Sequence, residues 1–117
     1  MRVIVTGGRD YEDARTVADV LKIVHPDAVV VHGECPTGAD AWADLIWKNL
    51  GGETDPHPAD WDGYAKMGRR SEAGPARNEV MAAKGADLCI AFPGGRGTED
   101  MIRRAKAHLI PVVRVDA

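Results

Sequence analysis

Cysteine is scarce in this chain, with only Cys35 and Cys89 among 117 residues. They form no CxxC pair and no disulfide framework, which points to a reducing compartment and makes the cytoplasm the expected location. No HxxxH, HExxH or paired CxxC spacing is present, so no metal is expected. Long hydrophobic runs are missing too. Stretches such as Ala28 to Val31 and Leu88 to Phe92 fall far short of the roughly 18 residues that cross a bilayer, so no membrane association is expected. Met1-Arg2 leads straight into Val3-Ile4-Val5 with no signal-peptide h-region, and the N-terminus is therefore expected to belong to the fold. An excess of positive charge is also absent: 15 Lys+Arg against 18 Asp+Glu leaves −3. Such a balance offers a polyanion little attraction and argues against nucleic acid as the partner. There is no internal repeat, low-complexity tract or linker.

What is present is an ordinary globular composition, 44% hydrophobic and 28% charged. A chain of this length suits one domain spanning 1–117, since domains typically take about 100–150 residues. Val3-Ile4-Val5-Thr6 and Ala28-Val29-Val30-Val31-His32 are β-branched runs stopped by Gly7-Gly8 and Gly33, and they read as buried strands. Between them Ala14, Val17, Ala18, Leu21 and Val24 recur at helical spacing, with Asp10 or Asp13 as cap and Pro26 as terminator. Ala39, Trp42, Ala43, Ile46, Trp47 and Leu50 form a second apolar stripe, with Thr37 and Asp40 resembling a capping box and Gly51-Gly52 as the stop. Residues 53–57 make a weak third strand. Residues 59–74 show no sustained period and read as a loop or lid. Pro75 suits the first position of a helix that ends at Gly85; Asp87 to Phe92 reads as a strand, Thr98 to His108 as a helix and Pro111 to Val115 as the last strand. Strands alternating with helices predict a mostly parallel sheet covered on both faces.

In such sheets ligands bind beyond the carboxyl ends of the strands. The informative residues follow the strands: Thr6-Gly7-Gly8-Arg9, His32-Gly33-Glu34, Pro58-Ala59-Asp60-Trp61 and Pro93-Gly94-Gly95-Arg96-Gly97-Thr98. Glycines at a strand-to-helix turn let the backbone approach a ligand, and the free N–H groups of the first helical turn favour a phosphate. The PGGRGT run lacks the GK[ST] of a Walker A loop and is not a GxGxxG dinucleotide fingerprint, so no NAD or other cofactor is expected. Arg9, Arg77 and Arg96 suit phosphate or carboxylate. Trp61 and Tyr64 could stack a base or anchor the loop, and His32 could orient a ligand or be a satisfied histidine at a strand end. Cys35 lies near a helix N-terminus but has no assigned base partner. Trp42 and Trp47 suit the core or a subunit interface.

Taken together, Val5-Thr6-Gly7-Gly8-Arg9-Asp10, His32-Gly33 with Thr37-Gly38-Ala39-Asp40, Pro58-Ala59-Asp60-Trp61, Gly74-Pro75-Ala76-Arg77-Asn78 and Phe92 through Thr98 closely resemble the YspA-like, cpYpsA-related branch of the SLOG superfamily. The resemblance implies a Rossmann-like three-layer α/β sandwich with a five-stranded sheet in order 3-2-1-4-5, a phosphorylated nucleoside as ligand, and a homodimer or higher homo-oligomer. The ligand-binding set it implies is Thr6, Gly7, Gly8, Arg9, His32, Gly33, Asp40, Trp61, Arg77, Asn78 and Pro93 through Thr98 (Gly94, Gly95, Arg96, Gly97 between them). Amides of Gly7-Gly8 and of Gly94 to Gly97 would cradle the phosphate.

Two other functions come with the resemblance. The lonely-guy phosphoribohydrolases carry PGGxGTxxE and an upstream arginine; Arg77 falls near that arginine, but Met101 occupies the glutamate's place, with Glu99 and Asp100 one or two positions early. A helix turns about 100° per residue, so a carboxylate displaced by one position points elsewhere. A hydrolase would have to use Arg77 with Glu99 or Asp100. The SLOG-fold DNA-processing proteins bind single strands, which the acidic balance and the lack of a basic stripe argue against.

Overall fold

The computed structural model describes residues 1–116. Strands β1 (Arg2–Thr6), β2 (Val29–His32), β3 (Glu53–Pro56), β4 (Leu88–Ala91) and β5 (Val112–Arg114) form one five-stranded sheet in the order β3-β2-β1-β4-β5. Every pairing is parallel. The parallel sheet is the one expected from the alternation, and its Rossmann-like order, with β1 at the centre, is the one the resemblance implies.

Period-two alternation along β1 decides the two cores. Val3 and Val5 face one side with Val30, Val17 and Leu21 of α1 (Ala14–Leu21), and Ala39, Ala43 and Trp47 of α2 (Gly38–Asn49). Ile4 faces the other with Val31, Cys89, Met81 of α4 (Ala73–Lys84), and Met101 and Ala105 of α5 (Arg96–Ala107). Burial on both faces explains why β1, β2 and β4 read as continuous apolar runs. Trp47 anchors the first core. Its Nε1–H donates to Ala28 O at 3.0 Å, and a Cβ on Gly52 would lie 2.2 Å from the indole nitrogen, so the turn after α2 needs glycine. Trp42 is half-buried against the same core.

Residues 59–74 are not a loop. They contain α3 (Trp61–Lys66), a 3₁₀ turn at Arg70–Glu72 and the start of α4. Asp60 caps α3 by accepting the Gly63 N–H at 3.1 Å, and the Arg70 guanidinium lies 4.8 Å from the centre of the Trp61 ring. The helix has only 6 residues, too few for a 3.6-residue apolar period to register. Pro75 stands two places into α4, where its missing N–H still costs nothing, because first-turn amides have no intrahelical acceptor. Of the two cap candidates, Asp13 is the one that caps α1, taking the Thr16 N–H at 3.0 Å. Thr37 and Asp40 form no capping box: the Thr37 hydroxyl donates to Arg9 O at 2.8 Å, and Asp40 turns to the β2–α2 loop. The helix placed at Thr98 begins at Arg96, with Gly95 as N-cap.

Candidate functional site

Parallel strands with right-handed crossovers put every strand-to-helix loop at one edge of the sheet. Here the loops after β1, β2 and β4, with Arg77 from α4, enclose a cavity of about 640 Å³. That is within the range of small-molecule sites, roughly 300–1,000 Å³. Of the residues expected at the site, Thr6, Gly7, Gly8, Arg9, Asp40, Arg77 and Pro93 through Thr98 line it.

The floor is made by the β4–α5 turn. Among the described residues, no protein acceptor takes the main-chain N–H of Gly94, Gly95, Arg96, Gly97 or Thr98; the next amide, Glu99, donates to Gly95 O at 3.1 Å. Helix geometry leaves first-turn amides without intrahelical partners, and aligned peptide dipoles add partial positive charge there. The glycines divide by role. A Cβ on Gly94 would lie 2.1 Å from Thr98 Oγ1 and 2.6 Å from Gly8 N, and one on Gly7 would lie 2.5 Å from Ala39 Cβ. Those positions need glycine for packing. Gly95 and Gly97 have nothing within 4 Å of such a Cβ, so packing does not require them. Gly8 departs from expectation: its N–H is committed to Pro93 O at 2.9 Å, and its carbonyl accepts the Tyr11 and Ala39 amides at 3.1 and 3.2 Å. It ties the three loops together and does not offer its amide to a ligand.

Arg77 is the half-buried cation of the site. Its Nε–H donates to Asn78 Oδ1 at 3.0 Å, and its NH1 group donates to Gly33 O and His57 O. Neutral acceptors thus fix the guanidinium plane, while NH2 makes no hydrogen bond among the described residues. Among the described residues no carboxylate is ion-paired with Arg77, nor with Arg9 or Arg96, the exposed arginines of the rim. Burial lowers the Arg77 pKa from its ordinary value, opposed first by the charge of Asp40. A desolvated guanidinium without a bound counter-ion is costly unless an anion arrives to meet it.

Asp40 is buried beside Arg77, the two meeting at Gly33, and accepts the Gly33 and Cys35 amides on Oδ2 at 3.1 and 3.4 Å. Burial raises its pKa, against the lowering influence of His32, the two amides and Arg77. Thr98 is buried, and its hydroxyl caps no amide of α5.

The remaining expected residues lie outside the cavity. His32 is 2% exposed: its Nδ1 accepts the Glu34 N–H at 2.9 Å, so Nε2 carries the proton and donates to Asp44 Oδ1 at 2.8 Å. Both ring nitrogens are in use. Gly33 contributes its carbonyl to Arg77, and Asn78 donates to Gly97 O and Asp100 Oδ2 at 3.3 and 3.0 Å, so both support the site from behind. Trp61 packs over Gly74, where a Cβ would lie 3.3 Å from its ring, and is a packing anchor away from the cavity. Glu99 makes a two-pronged ion pair with Arg114 at 3.0 and 3.1 Å beside a separate cavity. Asp100 turns inward to Asn78, Arg103 and Arg104. Neither α5 carboxylate faces the site.

Sequence reasoning missed Tyr11 and Asp10, which line the cavity. The Tyr11 ring stands 5.5 Å from that of Phe92, centre to centre, and Tyr11 rather than Trp61 is the aromatic residue lining the cavity. Its signal was its place three residues after Gly8, where a turn back to the Gly8 carbonyl aims it at the glycine loops.

Comparison with known proteins agrees with this architecture. The C-terminal domain (residues 83-215) of the PF1911 hydrogenase from Pyrococcus furiosus superposes with a TM-score of 0.52 at 15% identity, covering 97% of this chain and 90% of that one. A longer version of that domain (residues 78-226) gives 0.51 at 16%, over 97% and 89%. At such identities the likeness concerns the fold. The Gene 61 protein of Mycobacterium phage D29 is 41% identical over 123 residues, spanning 96% of this chain and 94% of the phage protein. A profile of the YspA, cpYpsA-related SLOG family matches residues 1–64, which hold the glycine turn after β1 and the Asp40 helix. The chain belongs to the YspA, cpYpsA-related SLOG family.

Proposed function

We propose that the protein binds a phosphorylated nucleoside or a related nucleotide-derived ligand in the cavity at the strand ends, as a sensor or a sponge for such a molecule. The observation that carries this reading is the pairing of a desolvated, counter-ion-free Arg77 with the unclaimed amides of Gly94 to Thr98 across one hollow. Charge-assisted hydrogen bonds to an anion are roughly twice as strong as neutral ones, and among the described residues neither these amides nor Arg77 NH2 has a partner. Arg9 and Arg96 would close over the phosphate from the rim, and Tyr11 would support a ring.

The reading is one of binding. Glu99 and Asp100, the carboxylates a glycosidic hydrolase of this kind would draw on, are both held elsewhere. Free Cys35 and Cys89 fit a cytoplasmic site of action, and none of the described helices is long and apolar enough to cross a membrane. A homo-oligomer would use the exposed side of α2, where Leu45 and Leu50 flank half-buried Trp42.

Calorimetric titration of ligand-free protein with inorganic pyrophosphate and with nucleoside mono- and diphosphates tests the proposal. Saturable binding is expected, with no free base released. Absence of heat and of thermal stabilisation with every phosphorylated probe would overturn it, and a steeply salt-dependent shift of single-stranded DNA would favour the nucleic-acid alternative. Native mass spectrometry reports subunit number and any retained small molecule together.

A further inference from the structure

The cavity has two chemically different ends. At Gly94 to Thr98 it presents main-chain donors. At the N-terminus of α2 it presents an acceptor, Asp40, beside the Arg77 guanidinium, the two bonding the amide and the carbonyl of Gly33. Asp40 is 8% exposed, and both of its hydrogen bonds, from the Gly33 and Cys35 amides, fall on Oδ2. Oδ1 receives none. Among the described residues no fully enclosed side-chain nitrogen or oxygen lacks a partner, so Oδ1 keeps its opening onto the cavity that Asp40 lines. A nearly buried acceptor left unmatched is costly once water is displaced, and a ligand that fills the cavity must bring a donor to it.

An inorganic polyphosphate cannot do so. It carries no neutral hydroxyl, so it fills the phosphate end and leaves Asp40 Oδ1 without a donor. What fits is a molecule with an anionic phosphate at one end and a neutral hydroxyl donor at the other. Gly8 ties the two ends together, its N–H on Pro93 O and its carbonyl on the Ala39 N–H.

We infer that Asp40 is the specificity-determining residue of the site, its Oδ1 accepting a free sugar hydroxyl, so that the ligand class is a ribose phosphate with unesterified 2′ or 3′ hydroxyls. The inference rests on the phosphate-binding reading above.

The test compares the common nucleoside 5′-diphosphates, their 2′,3′-dideoxy analogues and inorganic pyrophosphate, titrated calorimetrically into wild type and Asp40→Asn. In the variant the amide oxygen can still take both loop N–H groups while an NH₂ replaces the free acceptor. Wild type is expected to bind at least one ribonucleotide about tenfold or more tightly than its dideoxy counterpart. Asp40→Asn is expected to bind the pair equally and to keep or improve its hold on pyrophosphate. Pyrophosphate binding without ribose discrimination in wild type overturns the role of Asp40 alone, and this readout needs no variant. Discrimination that survives in Asp40→Asn, or a parallel loss for pyrophosphate and ribonucleotide that marks Asp40 as a mere counter-charge to Arg77, overturns it as well. No binding of any probe by wild type overturns the phosphate reading and this one together.

Discussion

Gly97→Ala separates a glycine kept for the ligand from one kept for the fold. At Gly97 a Cβ meets nothing within 4 Å, and the residue stands in the first turn of α5. Alanine is favoured over glycine in helix interiors by about 1 kcal/mol and by less at an end. The variant is therefore expected to be as stable as wild type or better by up to ~1 kcal/mol, a rise in Tm of roughly 3–6 °C at most for a domain of this size. Binding should move the other way. Gly97 lines the cavity, and on the binding reading a methyl in that open space crowds a ligand at the neighbouring free amides, where each N–H bond to a charged phosphate contributes about 1.5–3 kcal/mol. Displacing the anion from two such amides costs about 3–6 kcal/mol, or roughly a hundredfold or more in Kd. Gly94→Ala is the control: its Cβ would overlap Thr98 Oγ1 and the Gly8 backbone, an overpacking expected to cost about 1–3 kcal/mol of stability whether or not a ligand exists. Differential scanning calorimetry and titration with pyrophosphate measure both quantities on the same samples. If Gly97→Ala binds as wild type does, or if it melts several degrees lower, the division of the glycines is wrong.

Arg77→Met keeps the apolar stem but removes the charge, and should weaken pyrophosphate binding at least about tenfold in titration. It also leaves the Gly33 and His57 carbonyls without their donor, for a stability loss of about 1–3 kcal/mol in denaturant unfolding. Trp47→Phe, which deletes the donor to Ala28 O while filling most of the space, should cost about 1–3 kcal/mol in the same assay with no effect on ligand affinity. The Asp55 carboxyl is held well below its ordinary pKa by hydrogen bonds from Lys84, Arg2 and, against some desolvation, His57. A depressed folded pKa means stability that is complete above the unfolded value, near 4, and lost as pH falls below it; Asp55→Asn should flatten that acid limb of the Tm profile, and an unchanged limb would refute the assignment.

The strands and the two amphipathic helices flanking β2 were legible because each repeats a short-range pattern. Val3-Ile4-Val5 and Val29-Val30-Val31 are runs that only burial on both faces explains, and Ala39, Ala43 and Trp47 mark one helical stripe. The short helix at Trp61 was not legible, because a 6-residue element holds less than two turns of pattern and its stability comes from Asp60 and from packing over Gly74. Among the site residues, the glycine loops and Arg77 announced themselves by composition. His32 and Trp61 each carried two readings in one dimension, ligand contact or packing, and their partners in space, Asp44 and Glu34 for the first and Arg70 for the second, take them out of the site.

The amino-acid order by itself determined the alternation of strand and helix, and with it the edge of the sheet where the glycine turns gather. These are consequences of local periodicity and of the handedness of βαβ crossovers. Tertiary structure alone decided which polar groups are satisfied. It commits the Gly8 amide to Pro93, turns Glu99 and Asp100 away, and leaves Arg77 and Asp40 Oδ1 facing an open hollow. Whether a hydrogen-bonding group finds a partner depends on atoms many residues distant, and no pattern along the chain records that.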